Sequence, residues 1–235
     1  MFKSSDGTGK GHHSRSAILE TALDLFRARG FDQTGMRDIA RAAELSLGAA
    51  YYYFPSKDAI VQAYYDSVQQ QHEQQVESAF AAGNPKLRER LGIAFHRKID
   101  ILQSDQKLLG AIFRYTGNPD HPLSCLGPGT RGTRERSIAV FARALDGESL
   151  PDDLREILPV AFWALHMAVL IFFIYDRSPQ QQRTHRLIDG VLDLTIGLLR
   201  LTKSPLLKPV RGKLFSSFRE LEILPLSETA LGSRT

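Results

Sequence analysis

The run from Thr34 to Lys57, TGMRDIARAAELSLGAAYYYFPSK, limits what this chain can fold into more than any other stretch. Ile39, Ala40 and Ala43 form an apolar face at helical spacing, and Glu44-Leu45-Ser46 interrupts it. Helical spacing resumes from Leu47 to Phe54, with Ala50, Tyr51 and Phe54 on one side. Two short helices around a tight turn make a helix-turn-helix, a motif that lays its second helix in the DNA major groove. Pro55 cannot continue the preceding helix, and Ser56 is placed to cap another that opens at Lys57. Upstream, Ile18, Ala22, Leu25 and Phe26 give Ser14 to Arg29 one apolar face. Ser14 is the expected cap of this helix, and Gly30 can take the left-handed conformation at its end.

Read as a set, Thr34, Ile39, Ala40, Ala43, Ser46, Gly48, Tyr51, Phe54 and Lys57 resemble the helix-turn-helix signature of TetR family transcriptional regulators. Ala22, Leu25, Phe26, Gly30 and Phe31 match the same family's preceding helix, so the resemblance covers about residues 14–70. Two positions depart from the pattern. The family's turn glycine is Glu44 here, which means either strain at a positive φ or a different turn, and sets a negative charge near phosphates. Leu47 stands where the family often carries Lys or Arg.

The resemblance implies a DNA-reading surface made of Thr34, Arg37, Ser46, Leu47, Gly48, Tyr51, Tyr52, Tyr53 and Lys57. Thr34 is expected to cap the second helix and to touch a phosphate. Arg37 reaches either a phosphate or base edge, or pairs with Asp32 or Asp38. Ser46 caps the recognition helix, whose positive end faces a phosphate. Gly48 lets the helix lie close to base edges, and Leu47 and Ala49 offer apolar contact to a thymine methyl. Tyr51 falls near base edges or packs under Phe54, and Tyr52 and Tyr53 reach phosphates. Lys57 matches a phosphate-contacting family position; the alternative is an exposed lysine beside Asp58.

The rest of the chain fits an all-α protein of about nine helices: a helix-turn-helix head at 14–56 and a larger ligand-binding and dimerisation bundle at 57–202. Residues 1–13 read as a polar, flexible arm, either a basic tail near DNA or a solvated terminus. Residues 203–235 read as a basic C-terminal extension. At 235 residues with 43% hydrophobic content the chain can bury a real core. Its net charge of +4 is compatible with nucleic acid without arguing for it, and charges nearly balance in the first sixty residues. Binding would therefore rest on placed contacts. The single cysteine, Cys125, excludes an internal disulfide and fits a reducing cytoplasm. No secretory signal is visible in the polar N-terminus. The apolar run Val160 to Tyr175 falls short of the roughly 20 residues of a membrane span, and reads as a helix buried on both faces.

Gly83-Asn84-Pro85, Gly117 to Gly132 and Gly147 to Pro151 break the second half into helices. The Gln-rich middle of the helix from Lys57 to Ala82 suits a polar connector, and the Gly/Pro-dense loop 117–132 is either a lid or a passive surface loop. Aromatics between Pro85 and Asp176 can wall an apolar pocket or simply fill the core. The candidate pocket residues are Phe95, Phe113, Tyr115, Phe141, Phe162, Trp163, His166 and Phe173, with a small, largely apolar or aromatic effector as the expected ligand. Ala161, Ala164 and Ala168 on one helix, and Gly190, Leu194 and Gly197 on the next, are the candidate dimer interface, because small residues let helix backbones approach closely. The resemblance adds that the last two helices form a four-helix interface between subunits. A homodimer would space two recognition helices about 34 Å apart on a palindromic double-stranded operator.

No catalytic constellation, cofactor fingerprint or metal-ligand spacing is present: there is no H-E-x-x-H, no C-x-x-C, no P-loop and no dinucleotide glycine motif. His121 and Cys125 are near each other but read as loop residues. The expected protein is a non-enzymatic, ligand-responsive regulator, by the resemblance a repressor. An enzyme on an all-helical scaffold, and a DNA-binding or scaffolding protein without a small-molecule site, are the alternatives.

Overall fold

A computed structural model describes residues 7–202, with side chains placed for 15–200. The extension 203–235 and the first six residues of the arm lie outside the described residues. Within them the chain forms nine α-helices, joined by turns and three short 3-10 segments. They are α1 (Gly7–Arg29), α2 (Met36–Ala42), α3 (Leu47–Tyr53), α4 (Lys57–Ala81), α5 (Leu87–Leu102), α6 (Gln106–Thr116), α7 (Arg131–Ala144), α8 (Asp152–Tyr175) and α9 (Gln182–Thr202).

Helices α1 to α3 and the start of α4 close around Ile18, Ala22, Phe26, Phe31, Ile39, Ala50, Phe54 and Ile60, all buried. Each large side chain among them contributes on the order of 1.5–3 kcal/mol by leaving water. Phe26 and Phe31 meet edge to face at 5.1 Å. Gly30 sits at φ +89, where an L side chain would be strained, and turns the chain so that Phe31 re-enters the core. α1 begins at Gly7, not at Ser14. Ser14 therefore lies inside the helix, and residues 7–13 of the expected arm are helical. Once a helix is nucleated each added residue costs little, so weak formers upstream are carried along.

The turn between α2 and α3 is closed by a Schellman arrangement: Leu45 N donates to Ala40 O at 2.9 Å and Glu44 N to Arg41 O at 3.2 Å. Glu44 holds the left-handed position at φ +56, so the chain keeps the glycine-type turn and bears the strain of a side chain there.

In the second half α5 is central, packing on α4, α7 and α9, while α7 and α8 pair extensively and α6 lies between α1 and α8. Two expectations fail here. The polar middle of α4 is not a solvated connector: Gln69 and His72 are buried. His72 Nε2 meets the Ala94 carbonyl at 2.7 Å, and Gln69 Oε1 accepts from Lys98 Nζ at 2.8 Å, so both side chains find a partner across the α4–α5 contact, with His72 Nδ1 left unpartnered. Nor is α8 buried on both faces. Leu158, Phe162, His166, Val169 and Phe173 turn inward, whereas Ala161, Ala164, Ala168, Ile171 and Phe172 are exposed. By length and composition alone α8 could cross a membrane. Here its inner face belongs to the bundle core. Loop 117–132 is not a passive surface loop, since Leu123, Ser124 and Thr130 are buried.

Candidate nucleic-acid interface and internal cavity

Ser46 starts α3 as expected, its Oγ accepting from Ala49 N at 3.1 Å. The helix touches the core through Ala50, with Leu47, Tyr53 and the following Phe54 packed beside it. Gly48, Tyr51 and Tyr52 face outward. Tyr52 is 82% exposed and Tyr51 48%, which favours an outward role for Tyr51 over packing beneath Phe54. A Cβ added at Gly48 would meet nothing within 4 Å, so the fold does not demand glycine there. Tyr53 is half-buried against the head core and meets the Tyr52 ring edge to face at 5.1 Å. Arg37 is exposed and, among the described residues, makes no ion pair. Asp38, one of its possible partners, instead accepts from Gly35 N at 2.9 Å, and Asp32 is held by Arg114 and Tyr115.

Two expected DNA contacts sit elsewhere. Thr34 does not cap α2; Gly35 occupies that position. The Thr34 hydroxyl donates to Gly30 O at 2.9 Å and the residue is only 1% exposed, so it secures the α1–α2 turn and leaves no surface for a phosphate. The Lys57 ammonium donates to Phe31 O at 2.7 Å and lies 4.4 Å from the centre of the Phe31 ring. Burial lowers its pKa, with Asp58 opposing. Lys57 thus ties α4 to the head core, where the reading from sequence had it reaching for DNA.

Behind the head, a cavity of about 160 Å³ lies among α4, α5, α6, α7, α8 and loop 117–132. Of the eight pocket candidates, Phe113, Trp163 and His166 line it. Phe95, Phe141, Phe162 and Phe173 are fully buried core instead of cavity wall; Phe95 and Phe141 meet each other and His166 ring to ring, and Phe162 stacks on Phe141. Tyr115 lies on the opposite side of α6, its hydroxyl donating to Asp32 at 2.7 Å and its ring stacked on His121 at 4.5 Å. The reading missed Tyr64, Tyr65, Gln69, Lys98 and Arg134, all in the wall. Burial pushes the Tyr65 hydroxyl up to about 12, and holds His72, behind the wall, down to about 3, where the Lys98 charge also opposes protonation. Among the described residues no group of three or more His, Cys, Asp or Glu could hold a metal ion.

The cavity is joined to the head at two points. Tyr64 lines it and donates its hydroxyl to buried Asp105 at 2.7 Å, while Asp105 accepts from Arg27 Nε of α1 at 2.7 Å. On α6, Phe113 and Thr116 face the cavity, whereas Arg114 and Tyr115 hold Asp32 of the head.

Among the dimer candidates, Ala161, Ala164, Ala168, Gly190, Leu194 and Gly197 all lie on exposed surface of α8 and α9. They share it with Ile171, Phe172, Tyr175 and Leu198, and Leu194 is 64% exposed. Added Cβ atoms at Gly190 and Gly197 would meet nothing within 4 Å.

A short three-helix head presenting an outward recognition helix, mounted on an apolar-cored bundle, defines a helix-turn-helix DNA-binding protein. The profile of bacterial regulatory proteins of the tetR family matches residues 18–64, and that of tetracyclin repressor-like C-terminal domains matches residues 90–212. The chain belongs to the TetR family of transcriptional regulators, which makes it a regulator and not an enzyme. It is similar to the HTH-type regulator YuxN of Bacillus subtilis, 45% identical over 53 residues. That match takes in 21% of this chain and only 18% of the relative. It is 24% identical over 186 residues to the HTH-type regulator LuxR of Vibrio harveyi, covering 77% of this chain and 87% of that protein. The fold is shared with Thermus thermophilus FadR, a TetR family transcriptional repressor solved in complex with lauroyl-CoA. There the TM-score is 0.58 at 23% identity, covering 76% of this chain and 92% of FadR.

Proposed function

We propose that this regulator is a cytoplasmic homodimeric repressor that holds a palindromic operator until a small, largely apolar effector enters the bundle cavity of each subunit. The observation that carries this is the double duty of α6: consecutive residues line the cavity and grip the head, as Phe113 and Thr116 do on one side and Arg114 and Tyr115 on the other. An occupant that displaces Phe113 or Tyr64 bears directly on the Asp32 and Asp105 ties, and so on the angle of the head. It shifts that balance only by its differential affinity for the two arrangements. The exposed apolar strip of α8 and α9 supports pairing of two chains, since an apolar patch of this kind marks an interaction surface. The lining of mostly apolar side chains supports an apolar effector, and about 160 Å³ accommodates a body near the size of benzene without rearrangement.

The experiment is capture of fragments from the source genome by the purified chain at low salt, followed by footprinting. The expected result is protection of a dyad-symmetric site by two copies of the chain. Failure to retain any fragment, by a protein that runs as a single copy, would overturn the proposal.

A further inference from the structure

The cavity wall is mostly apolar, and its most deeply buried polar groups gather at the end where α4, α5 and α8 meet. There Lys98, Gln69 and His166 face the void. Lys98 Nζ donates to Gln69 Oε1 at 2.8 Å and, among the described residues, forms no ion pair. Glu73, the acid whose charge acts on Lys98, is occupied by Gln69 Nε2 at 3.0 Å and Arg136 Nε at 3.2 Å. His166 is 2% exposed, and neither of its ring nitrogens has a hydrogen-bond partner. A buried ammonium without an ion-pair partner and a buried imidazole without a hydrogen-bond partner each cost free energy that an apolar side chain of similar size would not. Their convergence on one void points to a group that is not part of the chain. The wall includes a second cation, Arg134, whose Nη1 donates to Cys125 O at 2.8 Å, and it includes no Asp or Glu. A cationic ligand is therefore opposed, and one with hydrogen-bond acceptors and negative charge is favoured.

We propose that the cavity binds a small carboxylic acid, its carboxylate accepting from the Lys98 ammonium and a His166 N–H, its apolar body lying against Trp163, Phe113 and Leu170. This rests on the effector cavity proposed above and names the chemical class of its occupant.

The charge state of the site supports a pH signature. Burial lowers Lys98 to about 7, against the raising influence of Glu73 and with that of Arg136. Of the other groups facing it, burial and the Lys98 charge keep His72 on α4 and His166 on α8 neutral. Lys98 is then the group that changes charge near neutrality. Below that pH it is already protonated and acid binding is pH-independent. Above it, binding takes up one proton, and affinity falls by up to about tenfold per pH unit.

Trp163 is the only tryptophan in the chain and lies in the wall, so its fluorescence reports occupancy. The test titrates the full chain with benzoate and hexanoate, each beside its neutral partner, benzamide and hexanol. The same titrations are run on Lys98→Met and from pH 6 to 8.5. The expected result is a preference for the acids of about tenfold or more at pH 6.5 that fades as pH rises. In Lys98→Met the preference reverses. Equal affinity for acids and neutral partners in the natural chain, or an acid preference that survives in Lys98→Met, overturns the acid assignment and leaves the effector cavity standing. If no probe perturbs Trp163 or raises the melting temperature, the assignment and the cavity reading both fail. Should Lys98→Met not fold, the paired titrations and pH profile of the natural chain decide alone.

Discussion

The hydroxyl of Tyr64 donates to the carboxylate of Asp105 at 2.7 Å while the Tyr64 ring forms part of the cavity wall. Because Asp105 also holds Arg27, one side chain touches the void and reaches the first helix of the head through a single intermediary. Removing the hydroxyl leaves a buried carboxylate oxygen without its donor. Tyr64→Phe is expected to lower the unfolding free energy by about 1–3 kcal/mol. Urea unfolding followed by circular dichroism measures this, and an unchanged midpoint would remove the latch.

Glu44 holds φ +56 in a turn whose hydrogen bonds are otherwise complete. A glycine there relieves the side chain's strain, about 1 kcal/mol, part of which is offset by the freer unfolded chain. Glu44→Gly is therefore expected to raise the urea midpoint slightly, and to tighten DNA binding by taking a negative charge from beside the phosphates. Weaker binding together with a lower midpoint would contradict both halves of this reading.

Recognition and stability should come apart on α3. Gly48→Leu places a side chain in open space, so stability is retained or raised by helix propensity. Operator affinity should fall by at least about tenfold if the backbone lies close to base edges. Arg37→Ala should flatten the salt dependence of binding by about one unit of slope. Lys57→Ala should instead cost stability, because its ammonium is spent on Phe31. Gel-shift titrations at several salt concentrations, paired with thermal melts, separate the three. A large slope change in Lys57→Ala would restore that residue to the interface.

Leu194 lies exposed between two glycines on α9. Leu194→Glu is expected to halve the mass seen by light scattering and to weaken operator binding far more than binding to a half-site, since two linked heads gain from effective concentration. A mass unaffected by the change would place any self-association on another surface.

Asp176 ends α8 and collects four hydrogen bonds, from Ser178 N and Oγ and from Thr184 N and Oγ1. Burial would raise its pKa, but these donors outweigh it and bring it to about 2. The folded value lies below the unfolded one, so the carboxylate's contribution is complete above about pH 4 and is lost as pH falls toward 2. Asp176→Asn should lower stability at neutral pH by on the order of 2 kcal/mol and flatten the acid limb of a pH–stability curve.

The head was legible in the sequence because its signals are local. Spacing marked α2 and α3, Ser46 and Ser56 marked two caps, and Glu44 stood where the chain turns left-handed. Thr34 was misread because a hydroxyl two residues before the helix, beside the true cap Gly35, looks like a cap; only the fold shows Gly30 O beside it. The exposed strip of α8 and α9 could be read from small residues repeating at helical spacing. The cavity wall could not. Aromatics such as Phe95 and Phe141 repeat at helical spacing whether they fill a core or face a void, and Lys98 looks like any surface lysine until α4 and α8 close over it.

The seven-residue α3 is anchored by Ala50, while Gly48, Tyr51 and Tyr52 stand clear of the interior. Mutational drift at those outward positions is nearly free of folding cost. A duplicated gene of this kind can therefore move to a new promoter while its architecture stays the same, and target divergence can run ahead of structural divergence in its lineage.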